Sequence, residues 1–204
     1  MFLKICGLTT AGDAVRAARA GATALGVVFA PSSPRCVTPD QARDIVEAVP
    51  ADVPVVGVFV NEPIASIVGI VAHTGIRIVQ LHGDEPEAYA AALKVPLIRA
   101  SGVDGAPVSR WPTATLLLDA MSGGQRGGTG TRVDWPAAAA IARRRRVVLA
   151  GGLTPDNVAE AIASVQPFGV DVSSGVEDAP GRKNQDKVAR FLEEARAAYA
   201  AAGL

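Results

Sequence analysis

The stretch Val55-Val56-Gly57-Val58-Phe59-Val60 decides the fold. Six consecutive apolar residues leave no polar face, and the run has the length of a strand rather than of a helix. A strand that presents neither face to water belongs in parallel sheet covered by helices. Working outward, runs of the same kind occur over 2–5, 24–29, 54–59, 76–81, 96–100, 114–119, 146–150 and 169–172, which makes eight. Between them lie Ala-rich segments with helical character over 10–20, 39–49, 63–74, 86–93, 136–143, 155–165 and 184–202, and a short irregular piece near 107–111. Thr38-Pro39 and Thr154-Pro155 each place a capping hydroxyl before a proline, whose missing N–H costs nothing at the first helical position.

Eight successive βα units predict an α/β fold, a compact single-domain (β/α)8 TIM barrel of eight parallel strands spanning residues 1–204. A doubly wound open sheet is the competing architecture. Strand count disfavours it, as does the way polar residues follow many different strands rather than one switch point.

Twenty Lys and Arg balance twenty Asp and Glu, so no overall field gathers nucleic acid or an anionic membrane. The run Arg143-Arg144-Arg145-Arg146 falls where a helix ends, and reads as a solvated end complementing the helix dipole. No apolar run approaches the roughly 18 residues of a membrane span. Residues 1–6 lack the pattern of a signal peptide, which leads us to expect a cytoplasmic protein. Cys6 and Cys36 are too far apart for a C-x-x-C motif and read as free thiols. His73 and His82 form no cluster with them, so no metal is expected.

In a barrel the strand ends converge on one mouth, where the chemistry sits. Cys6 ends the first strand and reads equally as a buried small residue or as a reactive thiol. Arg35, in the rigid Pro31-Ser32-Ser33-Pro34-Arg35 loop, can offer a planar fork to a carboxylate. His82 follows the fourth strand, as a base, a ligand contact or a histidine satisfied by backbone, while His73 reads as structural. Asp119 ends the run Leu116-Leu117-Leu118 and reads either as a local cap that hydrogen-bonds nearby backbone or as an acid at the mouth, the reading that barrel geometry favours. The glycine-rich segment from Gly123 to Thr131 can cradle an anion or move as a lid. Small residues follow the last two strands, in Ala150-Gly151-Gly152-Leu153 and Asp171-Val172-Ser173-Ser174-Gly175. That pairing matches the phosphate site frequent in (β/α)8 barrels.

Taken in order, Lys4-Ile5-Cys6-Gly7, Val79-Gln80-Leu81-His82-Gly83, Gly127-Gly128-Thr129-Gly130 with Asp134-Trp135, Ala150-Gly151-Gly152-Leu153, and Asp171 through Glu177 resemble the phosphoribosylanthranilate isomerases of tryptophan biosynthesis over essentially the whole chain. Two features depart from that pattern: Asn184 stands where an acidic residue is commoner, and Cys36 where an aromatic one is frequent.

The resemblance implies an Amadori rearrangement that needs one acid and one base and no cofactor. It implies Cys6 as general base and Asp119 as general acid, with Arg35 holding the anthranilate carboxylate and His82 and Asp171 contacting substrate. The phosphate would lie on Gly128, Thr129, Gly130, Gly151, Gly152, Ser173, Ser174 and Gly175. A thiol of ordinary pKa about 8.5 must then be partly thiolate, and a carboxyl of ordinary pKa about 3.9 must hold a proton near neutrality. Some cationic or donating group near Cys6 is therefore required, and the sequence does not say which.

The expected partner is a phosphorylated small molecule, with neither nucleic acid nor membrane, acting on a monomer or a homodimer. Three other readings compete. The sister isomerase of histidine biosynthesis uses an aspartate where Cys6 stands. An indole-glycerol-phosphate synthase-like barrel carries a longer N-terminal extension and a catalytic lysine. A non-catalytic phosphate-binding barrel would not need Cys6 and Asp119.

Overall fold

The computed structural model describes residues 1–104, 106, 109–122, 125–126 and 133–204, with only the backbone described at 121–122 and 125–126. Eight parallel strands form a closed barrel: β1 (Phe2–Ile5), β2 (Ala24–Val28), β3 (Val55–Phe59), β4 (Ile78–Leu81), β5 (Leu97–Ser101), β6 (Thr115–Leu118), β7 (Val147–Leu149) and β8 (Gly169–Val172). They run in sequence order around the barrel, and β1 closes it on β8 in the register Phe2↔Gly169, Leu3↔Val170, Lys4↔Asp171 and Ile5↔Val172. The expected barrel is the observed one.

The helices are α1 (Ala11–Arg19), α2 (Pro39–Ala48), α3 (Ile64–Thr74), α4 (Tyr89–Ala92), α5 (Trp135–Ala142), α6 (Val158–Val165) and α7 (Gln185–Ala201). Thr38 caps α2 in a full capping box with Gln41, as its hydroxyl before Pro39 predicts. Asn184 caps α7 by accepting from the Lys187 N–H, so the amide does there what an acidic residue would do. Two helices are shorter than their sequence signals. The segment over 86–93 condenses to the single turn of α4, and the Glu87 side chain preceding it instead accepts from the Trp111 N–H. Helix α6 starts at Val158 rather than at Pro155, because Asn157 turns back to accept from the Thr154 N–H and donate to the Gly152 carbonyl.

The period of two along each strand sorts side chains into two cores. Ala24, Val56, Ile98, Ala100, Leu117, Val148 and Ala150 fill the barrel, with Phe2, Ile78 and Phe168 at its base. Leu3, Ile5, Leu25, Val27, Phe59, Leu81, Leu116, Leu118 and Leu149 face outward against the helices. In β3 both sets are buried, which is why the stretch carries no polar residue. Gly57 leaves the space beside the stacked rings of Phe29 and Phe59, whose centroids lie 4.9 Å apart. Helix α7 buries Val188, Phe191, Leu192, Ala195 and Tyr199, one stripe at helical spacing.

The arginine run is only partly a solvated helix end. Arg143 and Arg144 are exposed, but Arg145 is half-buried and donates to the carbonyls of Arg110, Trp111 and Ala114. Arg146 lies 3.7 Å from the centroid of the Phe168 ring. Arg145 thus ties down the connection from β5 to β6, which contains no helix among its described residues, while Arg146 stays exposed over the Phe168 ring. No helix among the described residues is long and apolar enough to cross a membrane.

The Tyr199 hydroxyl is buried without a hydrogen-bond partner among the described residues, an arrangement that typically costs about 1–3 kcal/mol. Tyr199→Phe should therefore leave stability unchanged or raise it by about 1 kcal/mol in urea unfolding; a loss of that size would mean the hydroxyl is satisfied in solution.

Candidate active site

The inward period of β1 runs Phe2, Lys4, Cys6, which carries a lysine into the barrel and a thiol to its mouth. Lys4 is fully buried, and its Nζ lies 3.0 Å from Asp171 Oδ1, the residue facing it across the closing seam. Cys6 stands just above, held by its N–H to the Val172 carbonyl at 2.8 Å. The Lys4 side chain runs beside the Cys6 sulfur, and its charge favours the thiolate. Gly26 on β2 makes this crowding possible: a Cβ there would stand 2.7 Å from Cys6 Sγ and 3.0 Å from Lys4 Cε.

Burial pushes the Cys6 thiol up; Lys4 opposes this, Asp171 reinforces it, and Lys183 opposes it more weakly, with a net upward direction. For Lys4, burial pulls the ammonium down, but Asp171 and the thiol outweigh it and the net direction is also up. The group that tempers the thiol, which the sequence left unnamed, is thus Lys4, two residues before Cys6, with Lys183 adding to it.

Arg35 reaches the same rim from the loop after β2. Its Nε donates to Glu177 Oε1 at 2.8 Å and its Nη2 to Glu177 Oε2 at 2.7 Å, a bidentate pair. Lys183 Nζ shares Glu177 Oε1 at 2.6 Å and also donates to the Ser173 carbonyl at 3.1 Å. Burial alone would raise the Glu177 carboxyl, but the Arg35 and Lys183 hydrogen bonds outweigh it and hold it below the usual range. Burial, only partly offset by Glu177, pulls Lys183 down. Glu177 and Lys183 pair within a small antiparallel hairpin of 177–179 with 182–183, which Thr9 ties to the loop after β1 by donating to the Gly181 carbonyl.

Across the mouth, Asp119 follows β6. Its Oδ1 accepts from the Ala120 N–H at 2.8 Å, and its Oδ2 lies 3.5 Å from His82 Nε2. Gln80 Nε2 lies 3.0 Å from His82 Nδ1, and the other ring nitrogen faces Asp119. The loop bearing His82 is anchored by the buried Glu85, which accepts from the N–H groups of Asn61 and Gly83 and pairs with Arg99 at 2.7 Å.

Asp119, Ala150, Gly151, Gly152, Leu153, Asp171, Val172, Ser173, Ser174 and Gly175 line one cleft. Gly151 and Gly152 have φ of +75° and +66°, and a Cβ on Gly151 would press on the Ala120 nitrogen and Asp119 Oδ1. The structure therefore gathers Cys6, Arg35, His82, Asp119, Asp171, Gly151, Gly152, Ser173, Ser174 and Gly175 at one end of the barrel. Gly128, Thr129 and Gly130 lie outside the described residues. Lys4, Gly26, Gln80, Asn157, Glu177 and Lys183 were not singled out as site residues by sequence reasoning, although Lys4, Gln80 and Glu177 stand inside the quoted motifs.

This geometry has close counterparts. The family model for N-(5'-phosphoribosyl)anthranilate isomerase matches residues 3–194. An N-(5'-phosphoribosyl)anthranilate isomerase of Geobacter metallireducens is 48% identical over 199 residues, covering 96% of this chain and 98% of that protein. Among solved structures, monomers generated from the dimeric phosphoribosylanthranilate isomerase of Thermotoga maritima superpose with a TM-score of 0.85 at 37% identity, covering 97% of this chain and 99% of that one. A phosphoribosylanthranilate isomerase in complex with reduced 1-(o-carboxyphenylamino)-1-deoxyribulose 5-phosphate superposes with a TM-score of 0.86 at 37% identity, with the same coverage. The chain belongs to the N-(5'-phosphoribosyl)anthranilate isomerase family.

Proposed function

We propose that this chain catalyses the Amadori rearrangement of N-(5'-phosphoribosyl)anthranilate to 1-(2-carboxyphenylamino)-1-deoxyribulose 5-phosphate, with Asp119 as general acid and Cys6 as general base. The observation that carries the assignment of roles is their placement: they rise from β6 and β1, two strands that are not neighbours, at the rim of one mouth. They can thus work on opposite sides of a sugar without bonding each other.

Asp119 delivers its proton to the furanose ring oxygen, the bond from that oxygen to C1' breaks, and a Schiff base forms. The Cys6 thiolate then takes the proton from C2', leaving an enolamine that tautomerises to the aminoketose. His82 holds the Asp119 carboxyl toward the mouth. The phosphate is received by the backbone of Gly151, Gly152, Ser173, Ser174 and Gly175, which the glycines at 151, 152 and 175 let a ligand approach. The expected contributions of Gly128, Thr129 and Gly130 belong to the same reading. Arg35 keeps its Nη1 for the anthranilate carboxylate while Glu177 grips its other edge. The described site residues come from a single chain, so the reading serves a monomer and a homodimer alike, and free Cys6 and Cys36 suit a reducing cytoplasm.

The deciding experiment is turnover of phosphoribosylanthranilate, made in situ from anthranilate and phosphoribosyl pyrophosphate, followed by loss of its fluorescence. Wild type should turn over, and Cys6→Ala and Asp119→Asn should each lose about 10²- to 10⁴-fold in kcat while binding a product analogue nearly as before. An active Cys6→Ala removes the assigned base, and turnover of only the histidine-pathway substrate removes the assigned reaction. Because burial holds the thiol above its ordinary range, kcat/KM should climb with pH through the weakly alkaline range, and a flat profile there would count against thiolate as the base. Arg35→Ala, and more mildly Glu177→Gln, should raise KM tenfold or more with kcat within about threefold, as expected for lost uniform binding. The opposite split would place Arg35 in the chemical step.

A further inference from the structure

We propose that Lys4 is a positioning residue for this reaction: locked in the barrel by Asp171 beneath Cys6, its ammonium stabilises the thiolate that the chemistry uses. The inference rests on Cys6 being the base, and it assigns the lysine a task that neither packing nor the ligand requires.

Lys4 is fully buried, yet the interior around it is otherwise apolar and built of small residues such as Ala24, Ala100 and Ala150. A lysine in that place is an expensive filler, because an ammonium removed from water is stable only when paired and hydrogen-bonded. A single carboxylate, Asp171 at 3.0 Å, accepts one of its three N–H donors. Cys6 Sγ and Lys4 Cε lie 2.7 Å and 3.0 Å from one point, the place a Cβ on Gly26 would take, so the lysine chain passes beside the sulfur. Gly26 is the third side of the arrangement, since any side chain there would drive the sulfur and the lysine Cε apart.

The charged groups around Cys6 are Lys4 on its own strand, Asp171 on β8, Lys183 on the hairpin that follows, and Arg35 on the loop after β2, the last two sharing Glu177. Arg35 and Lys183 spend charge on Glu177, and Asp171 works against the thiolate. Lys4 is the cation that approaches the sulfur from inside the barrel, where it is screened least.

A fixed ammonium beside the sulfur offsets part of the cost of forming a buried thiolate, so the thiol stays basic yet titrates lower than burial and Asp171 alone would set. Because the same ammonium answers to Asp171, the carboxylate sets how strongly it serves the sulfur. Removing the lysine and removing the aspartate must therefore move the thiol in opposite directions.

The test is the pH titration of Cys6 in the full chain, read as ultraviolet thiolate absorbance in a Cys36→Ser background, with the Cys6→Ala protein subtracted. Lys4→Met should raise the midpoint by about one unit or more, a tenfold loss of thiolate at neutral pH. At that pH kcat should fall at least tenfold with KM little changed, and the rise of kcat with pH should move upward by the same amount. Lys4→Arg should recover part of both.

Asp171→Asn should lower the midpoint. Since Lys4→Met leaves a buried carboxylate unpaired and can fail to fold, Lys4→Met/Asp171→Asn, which removes both charges, serves in its place and should still titrate above Asp171→Asn. A folded Lys4 variant with a wild-type midpoint, or an Asp171→Asn midpoint that stays put or rises, overturns the proposal. If the midpoints move as stated while Cys6→Ala retains turnover, it is the assignment of the base that fails, and with it the catalytic use of Lys4. The effect of Lys4 on the sulfur would then stand alone.

Discussion

The barrel closes along β1 and β8, and at the middle of that seam stands a buried ion pair, Lys4 with Asp171, in direct register. A slip of one residue would turn both side chains from the interior to the helical face, because the side-chain period of a strand is two. The pair thus penalises every closure except the observed one. A buried ion pair gives little net stability against apolar residues of equal volume, and breaking one by removing a single partner costs about 3–5 kcal/mol. Its value here lies in register: with Lys4 and Asp171 facing each other, Cys6 is lifted to the rim and Ser173 to Gly175 start beside it. The cleft and the place of the thiol are consequences of one alignment.

Two further charge networks fix the rim in the same manner. Glu85 gathers Arg99 and the backbone of Asn61 and Gly83, and so holds the loop after β4 that carries His82 toward Asp119. Glu177 gathers Arg35 and Lys183, and so joins the loop after β2 to the hairpin after β8. Each carboxylate is almost wholly buried and would be costly alone; each is satisfied by cations and N–H groups from different loops. The mouth is therefore rigid where it is polar, which is what general acid and base catalysis demands of groups that must meet a proton at a fixed point.

Much of this was legible in the chain. Strand runs such as 55–59, apolar on both faces, gave away a parallel sheet, and eight of them gave the barrel. Cys6 and Asp119 were legible because each breaks an apolar run at a strand end, the place where a barrel presents its chemistry. Lys4 was not, because a lysine one residue before the end of a strand reads equally as an edge or a rim charge. Its meaning depends on Asp171, 167 residues away, which only closure brings opposite. Glu177 and Lys183 hid for a related reason: their hairpin is made of short, polar, turn-rich sequence with no apolar period to mark it. Arg145 was misread since a cation after a helix normally faces water, and nothing local says that the carbonyls of 110, 111 and 114 lie within its reach.

The charges around the mouth differ on its two sides. On the β1 side, Lys4 and Lys183 favour the Cys6 thiolate while burial and Asp171 oppose it, and the net direction is upward. On the β6 side, Asp119 is bounded by the Ala120 N–H, the imidazole of His82 and the bare backbone of Gly151. The cations on the β1 side therefore decide how much thiolate Cys6 can supply, and Lys4, paired with Asp171 inside the barrel, is the one among them that does not also answer to Glu177.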